Sequence, residues 1–239
     1  SFDPTQAPGS ELMCTYGSIV YRAVEAYLNY IEASYMKNGS IDATAANYWR
    51  AIRERAGVDT DFNKTIAATN LSLENDWGKY SGETLVDATL YNIRRERRNE
   101  LMGEGMRMDD LIRWRAMDKV QNYVIEGFNL WDEAYLSELY YEKVEVNKVP
   151  TGEIKNLLIA DGSAKANVSS KTLSKYLRPY QKVQANNEVF NGYNWSKANY
   201  LYPIGVRELQ LASPNQDDAS ASVIYQNPYW PITSNSALE

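Results

Sequence analysis

The chain contains no histidine at all. The commonest general base and metal ligand is therefore missing, and with it every Ser-His-Asp arrangement and histidine-based zinc site. Its single cysteine, Cys14, forbids an internal disulfide framework, so cysteine usage says nothing about compartment. The residues before it, Glu11-Leu12-Met13, lack the small residue expected ahead of a lipid-modified cysteine, and Cys14 reads as a buried or half-buried thiol. No stretch of about eighteen apolar residues is present, so no segment reads as a transmembrane helix. Ser1-Phe2-Asp3-Pro4 has neither the basic nor the apolar region of a signal peptide. An excess of positive charge is lacking too. The 25 Lys and Arg stand against 31 Asp and Glu, a net charge of −6, which excludes the basic footprint of a nucleic-acid binder or a polybasic membrane patch. Phenylalanine is scarce at 4, whereas tyrosine reaches 19 and tryptophan 6. Tyr and Trp join an apolar face to a polar handle, a combination suited to wet, sugar-like or protein surfaces.

What remains is ordinary globular composition, 44% hydrophobic and 23% charged over 239 residues, enough for one large domain. The punctuation predicts a mainly α fold. Residues 1–15 read as an extended entry, broken by Pro4, Pro8 and Gly9. A helix is expected from Tyr16 to Lys37, with Val20, Val24, Leu28, Ile31 and Tyr35 on one face. Asn38-Gly39 stops it, Asp42 caps a second helix reaching Ala56, and Gly57 ends that. The alanines of the second helix allow close approach, so 16–57 reads as a tetratricopeptide-like helical hairpin. Residues 58–81 read as a polar, irregular loop. Ser81 and Glu83 open a third helix to Met102, and a fourth runs from Arg107 to Tyr123. These form a second, Arg/Glu-rich hairpin over 82–123. The remainder, 124–239, reads as a loop-rich variable region and C-terminal cap, with a short helical piece around Trp131–Tyr141, a strand-like stretch at Tyr141–Val149 and a short helix at Val206–Leu211. Leu238-Glu239 reads as a cloning remnant. No linker separates domains, and 1–239 is expected to be part of a single one.

The densest information lies in Tyr91–Asp118, where arginines 94, 95, 97, 98, 107, 113 and 115 alternate with Glu96, Glu100, Glu104, Asp109, Asp110 and Asp118. Arg97 and Glu104, seven apart, would share one face of the third helix. Glu96 and Glu100 are like charges at i,i+4, which repel unless arginines from across the hairpin compensate. Interlocked guanidinium–carboxylate forks are the expected solution. A solvated charged face is the plain alternative. Paired catalytic carboxylates from Glu100, Glu104 and Asp110 are another, disfavoured because neighbouring arginines depress carboxylate pKa values and make poor general acids.

Glu96-Arg97-Arg98-Asn99-Glu100-Leu101, Glu104-Gly105-Met106-Arg107, Asp110-Leu111 and Arg113-Trp114 together resemble the SusD/RagB family run ERRxELxxEGxRxxDLxRW, with every fixed position matched. Arg22–Ala33 resembles that family's AEAYLNYAEA helix, and Ile52-Arg53-Glu54-Arg55-Ala56-Gly57 its IRxRAG helix end. Leu201-Tyr202-Pro203-Ile204 with Glu208-Leu209, and then Gln226-Asn227-Pro228, are similar to YLYPIPxxEL and QNPGY, with Gly205 and Tyr229-Trp230 as departures. The resemblance implies a SusD-like helical fold and a non-enzymatic role: capture of a glycan at the surface of a Gram-negative outer membrane for import through a SusC-like TonB-dependent transporter. It implies that this chain is the C-terminal part of such a protein, partnered by an N-terminal half that carries the signal peptide, lipid anchor and further tetratricopeptide helices. It implies no cofactor, no metal and no catalytic residue. It assigns Glu96, Arg97, Arg98, Glu100, Glu104, Arg107, Asp110 and Arg113 to a structural ion-pair motif.

Ligand residues do not fall within the matched motifs and are read from chemistry. Sugar rings stack on flat aromatic faces beside amide, carboxylate or guanidinium side chains. Trp77 and Tyr80 in Asn75–Tyr80, Tyr193 and Trp195 in Asn191–Trp195, and Trp131 are the candidates; Trp49 and Trp114 sit at core spacing and are assigned to packing. Two other functional classes stay open at this point. One is a carboxylate-dependent glycoside hydrolase on a helical scaffold, the other a tetratricopeptide-type scaffold that binds only proteins.

Overall fold

The computed structural model describes residues 20–136, 140–233 and 237–238. The expected entry loop, Cys14, the first residues of the expected first helix, part of the Trp131–Tyr141 piece and Glu239 lie outside them. The chain divides into two compact units between Ala116 and Met117.

In the first unit, α1 (Ala23–Asn38) and α2 (Ala43–Arg55) form a helical hairpin. Gly39, at φ 69°, closes α1 by donating its N–H to Tyr35 O at 2.8 Å, a left-handed cap that costs glycine nothing. Asp42 opens α2 by accepting from Ala45 N. Leu28 and Ile31 of the expected apolar face are buried and Val24 and Tyr35 pack beside them, but Val20 precedes the helix and is exposed. The expected loop 58–81 contains α3 (Phe62–Ala68), capped by Asp61. Phe62 stacks on Trp49 with centroids 4.4 Å apart, which ties this short helix into the core of Leu28, Ile31, Trp49, Ile52, Ile93 and Leu101.

The third helix starts later than expected. A two-residue antiparallel pair, β1 (Tyr80–Ser81) with β2 (Thr84–Leu85), precedes it. Asp87, not Ser81, caps α4 (Ala88–Glu100), accepting from Thr89 N at 2.8 Å and Leu90 N at 3.0 Å. The fourth helix is shorter than expected. α5 (Arg107–Arg113) ends at Trp114 because Arg115 adopts φ 56° and turns the chain out of the helix.

In the second unit, α6 (Glu133–Leu136) precedes an antiparallel hairpin of β3 (Tyr141–Val146) and β4 (Val149–Asn156), with Glu142 opposite Lys155 and Val146 opposite Val149. Its two-residue turn, Asn147-Lys148, holds φ 54° and 66°, the primed geometry that matches strand twist. α7 (Val206–Leu211) lies where the sequence places it. Elsewhere, side-chain amides replace ladders in satisfying backbone groups. Asn187 donates to Tyr180 O and Val183 O. Gln226 accepts from Ile204 N at 2.8 Å and donates back to Ile204 O at 2.8 Å.

Candidate functional site

The arginine-rich segments form ion pairs, but mostly not with each other. Arg97 on α4 and Asp110 on α5 form an ion pair between the two segments. Arg97 Nε lies 2.8 Å from both carboxylate oxygens, and its Nη1 donates to Asn29 on α1. Arg113 donates to Asp110 Oδ1 at 2.9 Å and forks onto Glu32 of α1 at 2.9 and 2.6 Å; Trp114 Nε1 adds a third donor to Glu32 at 2.7 Å. The like charges of Glu96 and Glu100 are compensated from the first hairpin instead of from α5. Glu96 accepts from Arg53 and from Trp49 Nε1, both at 2.9 Å, and Glu100 from Arg22 and Arg55. Glu104 lies beyond the end of α4 and bonds Arg22, so it shares no helical face with Arg97. Arg98 and Arg107 converge on Asp76, a buried residue that also caps the Trp77–Lys79 turn through Gly78 N at 2.9 Å.

Arg94 was not singled out by the sequence, yet it lies deepest. It donates to Gly78 O, Tyr80 O and Ser81 Oγ, and its guanidinium sits 4.4 Å from the centre of the Trp114 ring. Burial pushes it down to about 10 from an ordinary 12.5, with Glu32 opposing, so it stays charged at neutral pH.

The network gives the unit an acid limit. Burial acts to raise the Glu32 pKa, but the Arg113 fork, the Trp114 N–H and the Arg94 charge together hold it below its ordinary 4.5. A carboxyl with a depressed folded-state pKa stabilises fully above its unfolded value, and that contribution disappears as pH falls through the folded value. The melting temperature of the protein is expected to drop on acidification below pH 4.5, and Glu32→Gln to flatten that drop while lowering stability at neutral pH. Thermal melts between neutral and strongly acidic pH check this; parallel curves for parent and variant would contradict it.

The aromatic candidates lie in both units. Trp77 and Tyr80 flank the short turn over Asp76, and both are half-buried. The carboxylate of that loop, Asp76, is held by two arginines. Trp131 is half-buried, its backbone N–H donating to Lys175 O at 3.1 Å. Its indole N–H is buried and finds no acceptor among the described residues.

Tyr193 and Trp195 belong to a built arrangement. Residues 121–123 and 193–195 are zipped together: Asn122 N donates to Tyr193 O at 2.7 Å, Tyr193 N to Tyr123 O at 3.0 Å, and Trp195 N to Gln121 Oε1 at 2.7 Å. Gly192 makes this possible, since a Cβ there would lie 2.5 Å from the Asn122 carbonyl carbon. The zipper holds the Tyr123 and Tyr193 rings 17° from parallel with centroids 6.4 Å apart. Beside them, the Gln121 and Asn194 amides bond each other at 3.2 Å. Trp195 meets Tyr200 edge to face at 5.2 Å. No local signal marks Tyr123 and Gln121, which the helical pattern places at the end of the expected fourth helix, some seventy positions from their partners.

No helix among the described residues is long and apolar enough to cross a membrane. The model of the SusD family matches residues 13–230 of the chain. No curated protein and no solved structure matches the chain.

Proposed function

The chain belongs to the SusD family, and from that premise we propose that it binds glycan at the outer surface of a Gram-negative outer membrane and hands it to a SusC-like TonB-dependent transporter, without catalysis. The single observation that carries the glycan reading is the zipped tyrosine pair. Two near-parallel rings fixed by backbone pairing, with two side-chain amides alongside, offer a stacking face plus hydroxyl partners. Tyr193 and Trp195, with Tyr123, Gln121 and Asn194, are the ligand groups favoured by this geometry; Trp77, Tyr80 and Trp131 remain proposed contacts on the strength of their chemistry. The ion-pair residues serve the fold.

Neighbouring guanidiniums argue against a hydrolase. Glu100 is bonded by two arginines and Asp110 by two, so their oxygens are committed to ion pairs and not directed at a leaving group. Native affinity electrophoresis in gels containing different polysaccharides tests the proposal. Retardation by at least one polysaccharide is expected, reduced about fivefold or more in apparent affinity by Tyr193→Ala, taking the roughly 1–3 kcal/mol of a base stacked on an aromatic ring as the scale for a stacked sugar. No reducing ends should appear during the incubation. Absence of retardation with every polysaccharide, or release of reducing ends that Glu100→Gln abolishes in a folded protein, would overturn it.

A further inference from the structure

The first unit carries a second concavity, distant in sequence from the tyrosine pair. A cleft of about 700 Å³ opens between α1 and the β1–β2 turn, within the range of roughly 300–1,000 Å³ typical of small-molecule sites. One wall is apolar, made by Ala33 and by Met36, which is 60% exposed on α1. The facing wall is cationic: Arg94, Arg113 and Arg115 line it against one carboxylate, Glu32.

The charge balance behind that wall is uneven. Asp110 is shared by Arg97 and Arg113, and Glu32 by Arg113 and Trp114. Among the described residues Arg94 hydrogen-bonds neutral acceptors and meets Glu32 in a looser ion pair. Its Nη groups bond two backbone carbonyls and a hydroxyl, its Nε finds no hydrogen-bond acceptor among the described residues, and Glu32 Oε1 stands 3.7 Å away. A guanidinium that is 2% exposed, hydrogen-bonded to dipoles and sharing Glu32 at 3.7 Å with Arg113, gains from a further anion brought into the space beside it. Its depressed pKa points the same way. Arg115 adds charge at the rim from a strained position: φ 56° after a helix end is where glycine is preferred, and a bulky side chain kept there favours a role beyond ending the helix.

We propose that this cleft binds the carboxylate of an acidic sugar, a uronic-acid residue, with the sugar ring against Ala33 and Met36 and the carboxylate toward Arg94, Arg113 and Arg115. A monoanion with a flat two-oxygen fork matches guanidinium geometry, and a pyranose ring has one face apolar enough for the methionine wall. The inference rests on the glycan reading above and narrows it to anionic chains.

Calorimetric titration with trigalacturonate and with its fully methyl-esterified form tests it, because the two differ in charge and not in rings. The acid is expected to bind at least about tenfold tighter than the ester, as one charge-assisted contact contributes roughly that much. Two variants remove the preference. Arg115→Gly takes away the rim guanidinium at a φ glycine adopts freely, and Met36→Glu places a like charge on the opposite wall at an exposed helical position. Both should fold and bring the ratio close to one. Equal affinity of the parent for acid and ester, or a preference that survives both variants, overturns the proposal. Should neither trisaccharide bind while a neutral polysaccharide retards the protein in gels, the cleft assignment fails and the glycan reading stands; if no polysaccharide retards it either, both fail.

Discussion

Replacing Asp110 by alanine is expected to destabilise the first unit by about 3–5 kcal/mol, the range found when one partner of a buried ion pair is removed. Asp110 is 3% exposed and Arg97 4% exposed, so water cannot take over the lost contacts. The carboxylate satisfies Arg97 Nε through both oxygens and Arg113 Nε through one. After truncation Arg97 keeps only Asn29, whereas Arg113 still reaches Glu32. The uncompensated charge is therefore that of Arg97, and it sets the size of the loss. Against a typical domain stability of about 5–15 kcal/mol this is a large fraction. Urea unfolding followed by tryptophan fluorescence measures it. The double variant Arg97→Met with Asp110→Leu should recover most of the loss, because no charge is then left buried alone. A single-variant cost under about 1 kcal/mol would mean that the pair behaves as a solvated one.

The sequence made Arg97 and Asp110 visible as members of a family run, and local chemistry made the caps visible. Asp42, Gly39, Gly57 and the bounds of α7 follow from residue type and spacing over a few positions. The cluster's partners were not visible in the same way. Glu32, Asp76 and Arg53 lie on other elements, and nothing within the 94–114 window distinguishes an acid that bonds across its own hairpin from one that bonds α1 or α2. Glu96 and Glu100 looked like a repulsive pair needing help from α5; the help comes from Arg53, Arg22 and Arg55. The boundary errors have equally local causes. α3 is too short to show a helical period, and Asp87 outcompetes Ser81 as a cap because Gly82 turns the chain into the β1–β2 pair, its N–H donating to Trp114 O. Arg115 ends α5 in a conformation for which the arginine side chain gives no warning. Of the proposed glycan contacts, Tyr193 and Trp195 stand out in the sequence as an aromatic loop with asparagines. Tyr123 does not, because the pairing that brings it to Tyr193 is made by backbone groups, which every residue carries.

Arg94 illustrates the same limit with a large energetic consequence. Arg94→Met is expected to cost about 3 kcal/mol, even though methionine fills much of the same volume and removes a buried charge. Two effects compete. Deleting a cation that no carboxylate bonds directly is favourable by itself. Against it, Gly78 O and Tyr80 O lose their guanidinium donor, Ser81 Oγ loses another, and Trp114 loses the planar group stacked at 4.4 Å. A buried acceptor left without a donor costs about 1–3 kcal/mol, so the loss at buried Gly78 O, with the smaller losses at part-buried Tyr80 O and Ser81 Oγ, outweighs the relief of one charge. Arg94→Lys should recover only part of the stability, since a single ammonium cannot hold three divergent acceptors and stack on an indole. The damage should also be local before it is global. Gly82 N–H, bonded to Trp114 O at 3.0 Å, should exchange with deuterium much faster in both variants, while the Asp42-capped start of α2 keeps its protection. A methionine variant as stable as the parent, with Gly82 still protected, would show that the carbonyls find other donors. The β1–β2 turn would then be held by something other than the Arg94 fork.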